Sequence, residues 1–157
     1  MNIQIIVIGK TDQSYLIAGI DEYCKRIKRY INFDMQVIAD IKNTKNINEI
    51  QQKNLEGEKI LAKLNSNDFV VLLDENGIEY NSRSFADFIS KQMLSSVKNL
   101  VFVIGGPYGF SKSVYDRANC KISLSKMTFS HQIVRLLFLE QLYRSFTIIN
   151  NEPYHHD

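Results

Sequence analysis

Leu100-Val101-Phe102-Val103-Ile104-Gly105-Gly106-Pro107-Tyr108-Gly109-Phe110 changes character halfway, and that change decides the architecture of the chain. Its first five residues are an unbroken β-branched and aromatic run, the pattern of a strand covered on both faces in a parallel sheet. The run stops at Gly105, where three glycines and a proline fall within five positions. Glycines let bare backbone approach a neighbour closely, and ligands of open α/β sheets sit at the carboxyl ends of strands. The segment predicts a ligand-facing turn. A tight turn that merely needs positive φ at one or two glycines satisfies the same residues.

Outward from this strand, strand and helix patterns alternate. Ile3 to Ile8 predicts a first strand closed by Gly9, and Asp12 a cap for a helix in which Tyr15, Ile20, Tyr23, Ile27 and Tyr30 share one face. Met35 to Ala39 predicts a second strand. After the polar loop Lys42 to Asn46, Asn46 with Glu49 reads as a capping box opening a helix to about Leu64. The apolar positions of that helix are Ile47, Ile50, Leu55, Ile60, Leu61 and Leu64. Asp68 to Asp74 is a third continuous strand, followed by Glu75-Asn76-Gly77 as its turn. Ser82 or Ser84 caps a helix through Phe85, Phe88, Ile89 and Met93. Lys112 to Asn119 predicts a short helix, Lys121 to Leu124 a fifth strand, and about His131 to Ile149 a final helix. Such alternation predicts an α/β fold, a parallel-rich sheet with helices on both faces, in one domain over 1–157. The final helix is apolar around almost its whole circumference, which calls for a second surface beyond its own sheet. A second copy of the chain, in a symmetric dimer, is one source of it.

Composition narrows the function classes. Cys24 and Cys120 lie outside any C-x-x-C or Cys/His spacing, which argues against a disulfide framework and for a reducing, cytoplasmic location. The opening strand lacks the flank and cleavage site of a signal peptide, and no apolar run approaches a membrane span. Net charge is +2, but residues 111–146 carry +4 and the remainder −2. That bias beside the glycine turn is compatible with a polyanionic partner such as RNA, and equally with ordinary surface charge.

Known chemical motifs are mostly excluded. No G-x-x-x-x-G-K-[ST] is present, and the glycine turn follows a late strand without G-x-G-x-x-G spacing, so phosphoryl and hydride transfer lose support. His131, His155 and His156 form no H-x-x-x-H or H-E-x-x-H pattern, so no metal site is expected. No G-x-S-x-G elbow supports a serine triad. Leu124-Ser125-Lys126-Met127-Thr128-Phe129 is a second loop rich in donors, acceptors and apolar side chains, suited to a neutral pocket or to a plain connection with Ser130 as N-cap. The tail Glu152-Pro153-Tyr154-His155-His156-Asp157 is aromatic and polar enough to cover a site.

Together, FVIGGPYGF at 102–110, LSKMTFSHQIVRLLFLEQLYRSF at 124–146 and NEPYHH at 151–156, with IQIIVIGK at 3–10 and VVLLDENG at 70–77, closely resemble the SPOUT-superfamily methyltransferases that modify N3 of a pseudouridine in 23S ribosomal RNA. The resemblance runs end to end. It implies a homodimer with a C-terminal trefoil knot, a feature that topology alone argues against. It also implies S-adenosylmethionine (SAM) as methyl donor, held by Leu73, Gly105, Leu124, Ser125, Lys126, Met127, Thr128 and Phe129, with no metal. The substrate it implies is 23S rRNA in the large subunit or the assembled ribosome. In this family the tail, here Tyr154 and His155, reaches towards the pocket, and His131, Arg135 and Arg144 match polar positions near the site or the dimer interface. His155, or a water held by Tyr154 and His131, is expected to accept the proton lost from N3 or to stabilise the developing anion, with Arg144 and Lys126 holding phosphates or uracil oxygens. Two positions depart from the family pattern: Ser130 stands where proline is common, and His156-Asp157 where a basic residue usually follows Tyr-His. A non-catalytic RNA- or ribosome-binding module with the same fold is the alternative reading.

Overall fold

The protein is described as a computed structural model covering residues 1–156, so Asp157 of the terminal pair lies outside the described residues. Its strands are β1 (Asn2–Ile8), β2 (Asn32–Ile38), β3 (Phe69–Glu79), β4 (Asn99–Ile104) and β5 (Cys120–Ser123). They form one five-stranded sheet in the order β2-β1-β4-β3-β5, with every pairing parallel. The helices are α1 (Ser14–Ile27), α2 (Glu49–Leu61), α3 (Ser82–Leu94), α4 (Lys112–Arg117) and α5 (Ile133–Ile149).

The glycine-turn strand, β4, is the middle strand, which explains its continuous apolar run. Leu100, Phe102 and Ile104 pack on one face with Leu16, Ile20 and Ile27 of α1, Phe85 and Ile89 of α3, and Phe138, Leu139, Leu142 and Phe146 of α5. Val101 and Val103 pack on the other with Ile60 of α2, Phe110 and Val114. Side chains alternate faces along a strand, so both clusters need β4 to be apolar at every position.

Local signals shifted by one or two residues. Asp12 does not cap α1; its carboxylate and amide bond the Gln132 side chain at 2.9 and 3.0 Å, tying the entry of α1 to that of α5. Tyr15 is exposed and Leu16 takes the inward position, because the helix begins at Ser14 and sets the face from there. The capping box is Asn48 with Gln51 rather than Asn46 with Glu49: the Asn48 side chain accepts from the Gln51 amide at 2.8 Å and the Gln51 side chain from the Asn48 amide at 2.9 Å. Of the apolar positions on α2, Ile60 is buried while Ile50 and Leu55 are exposed. Asn81, not Ser82 or Ser84, caps α3, accepting from the Ser84 amide at 2.8 Å.

Glu75-Asn76-Gly77 is not a turn that ends a strand. It is an irregularity inside β3, where pairing with β5 slips between Leu73 and Ile78. Gly77 is required there, since a Cβ would stand 2.6 Å from the Ile122 backbone.

α5 lies over the sheet between α1 and α3, which supply within the chain the second surface its apolar circumference demands. Arg135 is the exception on this helix. Fully buried, it donates to the carbonyls of Ile8, Gly9 and His131 at 2.5, 2.9 and 3.1 Å and to Thr11 Oγ1 at 2.9 Å. The planar fork of guanidinium donors suits several convergent acceptors, and here it pins the carboxyl end of β1 to the start of α5.

Candidate active site

The carboxyl ends of three adjacent strands, β4, β3 and β5, open onto one cavity of about 500 Å³. Each strand leads into a segment that lines it: residues 104–110 after β4, 73–76 within β3, and 122–129 from β5 onward. The volume is that of a small-molecule site. Ile104, Phe110, Ile122, Leu124 and Val134 give it an apolar interior.

The glycine turn keeps the wall thin. Gly109 has φ of 77°, and its amide donates to the Gly106 carbonyl at 3.2 Å. Behind Gly106 sits Glu56, buried on α2; Gln52 donates to its Oε1 at 3.1 Å, while Oε2 has no hydrogen-bond partner among the described residues. Burial pushes the Glu56 carboxyl above its ordinary range. The opposite wall is braced by its own serines: Ser123 Oγ donates to the Ser125 carbonyl and Ser125 Oγ accepts from the Met127 amide, each at 2.9 Å. Ser130 Oγ accepts from the Ile133 amide at 3.2 Å as the chain enters α5.

Of the expected donor-binding residues, Leu73, Gly105, Leu124, Ser125, Met127, Thr128 and Phe129 line the cavity; Lys126 is exposed and does not. Among the expected catalytic residues only His131 lines it. Burial and the neighbouring Arg135 cation both lower the His131 pKa, which keeps the ring neutral at neutral pH. Arg144, Tyr154 and His155 gather with one another instead. Arg144 Nη1 lies 3.3 Å from His155 Nδ1, and its guanidinium carbon 4.8 Å from the Tyr154 ring centre. A left-handed Asn151, φ 54°, turns the tail after α5, and Tyr154 packs edge-on against Tyr143 at 4.8 Å. Val134 is at the cavity and Arg144 is ten residues further along α5, roughly 15 Å at the helical rise.

Asp74 and Tyr115 were not read from the sequence as site residues. The Tyr115 hydroxyl makes a short hydrogen bond to one Asp74 oxygen, and the other accepts from the Asn76 amide at 2.8 Å. Burial and the adjacent carboxylate push the Tyr115 phenol up to about 12, so it stays a donor across the physiological range. The position of Asp74 beside Leu73, at the end of a continuous apolar run, was the available signal. Tyr115 lies on α4 and offered none.

These features define an α/β protein whose candidate ligand site opens at the carboxyl ends of β4, β3 and β5. A family model described as "Predicted SPOUT methyltransferase" matches residues 1–155, and the chain belongs to that methyltransferase family. It is 60% identical to the ribosomal RNA large subunit methyltransferase H of Flavobacterium johnsoniae over 156 residues, covering 99% of each chain. To the protein of that name from Parabacteroides distasonis it is 58% identical over 157 residues, covering 100% of each. Among solved structures, a methylase family protein from Haemophilus influenzae aligns with a TM-score of 0.53 at 15% identity, covering 99% of this chain and 71% of that one. A protein from Legionella pneumophila described as a "putative methyltransferase", solved with SAM bound, aligns with a TM-score of 0.50 at 10% identity, covering 90% and 65%. At those identities the likeness concerns the fold.

Proposed function

We propose that this chain methylates N3 of a pseudouridine in 23S ribosomal RNA, using SAM, as a cytoplasmic homodimer acting on the assembled ribosome. The observation that carries this reading is the full-length similarity to ribosomal RNA large subunit methyltransferases H, at 58% and 60% identity. In this reading the whole chain works as one domain, and its C-terminal part carries the trefoil knot of the family it resembles.

The cavity suits the methyl donor. Its apolar interior can take the adenine, and the turn and loop backbones can take the ribose and adenine hydrogen bonds. Glu49, Asp74 and Glu75 line it with no lysine or arginine among the described residues, which favours a ligand carrying positive charge. SAM supplies a methyl group on a positively charged sulfur, already activated for transfer. What remains for the protein is to align the acceptor nitrogen and to favour loss of its proton.

Reach supports the dimer in this reading. If the tail serves the site, it must cross the roughly 15 Å that separate Arg144 from the cavity end of α5 in its own chain. A second copy can bring its tail to the cavity instead. Phosphate contacts set RNA affinity, and the +4 of residues 111–146 is small, so a large preformed surface such as the ribosome supplies the rest of the recognition.

Mass spectrometry of 23S rRNA from a strain lacking the gene, with and without complementation, tests the reading. Methylpseudouridine should vanish and return. Removing residues 153–157 should abolish methylation of ribosomes while leaving SAM binding measurable by calorimetry. A folded dimer that binds no SAM would establish the non-catalytic ribosome-binding alternative.

A further inference from the structure

The apolar lining of the cavity divides into a buried part and an open part. Ile104, Phe110 and Ile122 are buried, whereas Tyr108, Met127 and Phe129 line the same cavity while 43%, 75% and 39% exposed. None of these three belongs to either core cluster. They stand on two walls, because β4 and β5 flank β3, and the glycine turn follows the one while the 124–129 loop follows the other.

Tyr108 is set apart from the other tyrosines. Each of them except Tyr15 meets another aromatic ring among the described residues, and Tyr15 does not line the cavity. The Tyr108 ring has no such partner there, and its hydroxyl makes no hydrogen bond. Its backbone is nevertheless fixed. Residues 106–109 form a four-residue turn closed by the Gly109 amide on the Gly106 carbonyl at 3.2 Å, with Pro107 second and Tyr108 third. The proline ring presets φ just before Tyr108, so the turn that carries the ring is ordered before anything binds.

We propose that the Tyr108 ring is the stacking surface for the target base at the mouth of the cavity. This rests on the function proposed above. N3 of a uracil ring lies on its pairing edge, so the methyl group reaches it only when the base is unpaired and drawn out of its stack. A displaced base loses its stacked neighbours, and an aromatic side chain restores one; removing such a ring costs about 5- to 150-fold in affinity per base. Charge favours the same occupant. Glu49, Asp74 and Glu75 line the cavity and repel a phosphate, while a uracil ring is neutral and can enter. Lys126, exposed on the loop across from Tyr108 and outside the lining, can take the phosphate that stays in solvent. The adenine of the methyl donor takes the buried apolar residues and leaves the Tyr108 ring free.

The chain contains no tryptophan, so Tyr108→Trp carries its only indole. SAM, bound to that variant as calorimetry shows, should not quench the indole emission; quenching would put adenine on this ring and overturn the assignment. On ribosomes, Tyr108→Phe and Tyr108→Trp keep a flat aromatic face and should stay within about threefold of the natural chain, while Tyr108→Leu should lose about 10- to 100-fold in kcat/KM. The leucine variant should keep its SAM affinity, and its mass by light scattering should match that of the natural chain. A leucine variant as active as the natural chain, or one whose loss comes with weaker SAM binding or a changed mass, would overturn the stacking role and leave the proposed function standing. A natural chain that binds SAM but leaves ribosomal RNA unmethylated would overturn the proposed function, and this inference with it.

Discussion

Glu56 presses its carboxylate against Gly106: a Cβ built at Gly106 would stand 2.7 Å from Glu56 Oε2. The contact joins α2, on the outside of the sheet, to the turn that walls the cavity. Gly106→Ala should displace the turn and weaken SAM binding by about tenfold, roughly 1.4 kcal/mol, read by calorimetry.

The same carboxylate gives a pH signature. Its pKa in the folded protein is raised above the ordinary 4.5 by burial. The folded state therefore holds the proton more tightly than the unfolded chain, and stability falls as pH rises from about 4.5 towards the raised folded value. Glu56→Gln removes that ionisation. The melting-temperature gap in favour of the variant should widen across this window and level off above it; a gap independent of pH would remove Glu56 as the cause.

Tyr115→Phe deletes the donor that orients Asp74. Hydrogen bonds to charged groups contribute about 1.5–3 kcal/mol when buried and less when exposed, and Tyr115 is partly exposed. A roughly fivefold loss of SAM affinity, with little change in melting temperature, is the expected calorimetric result. Unchanged affinity would mean that Asp74 does not meet the donor.

Much of this was legible in the sequence because periodicity reports burial. The continuous apolar runs at Val70 to Leu73 and Leu100 to Ile104 could only be strands covered on both faces, and the segments after them had to meet at one edge of the sheet. Caps were less legible, since Asn46 and Asn48 are the same residue type two positions apart and only the hydrogen bonds distinguish them. Gly77 read as a turn because glycine is needed equally for positive φ and for close approach to Ile122. Arg135, with its cationic side chain on an apolar helix, read as a residue near the site or the interface. Its burial depends on acceptors from β1, more than a hundred residues away.

Arg135→Met keeps the volume and removes the donors. The buried carbonyl oxygens of Ile8 and Gly9 lose their partner, at about 1–3 kcal/mol for each group left unsatisfied, and the part-buried His131 carbonyl and Thr11 hydroxyl lose theirs at a smaller cost. The melting temperature should fall by about ten degrees. Arg135→Lys should recover only part of the loss, because one ammonium cannot span the fork.

Burial pushes the Cys24 thiol up to about 11 and raises Cys120 as well. Iodoacetamide at about pH 8 should leave both unmodified in the native protein and alkylate both after unfolding, as intact-mass spectra would show; the reactive form is the thiolate, and little is present.

The cavity is walled by segments that are far apart along the chain, 73–76, 104–110 and 122–129, each hung from a different strand. A ligand seated there acts as a clasp on the tertiary structure, and its binding free energy adds to that of folding, about 2.7 kcal/mol at a hundred times the dissociation constant. Under the proposed function that ligand is the methyl donor, and the lifetime of the protein against proteolysis should rise with its concentration.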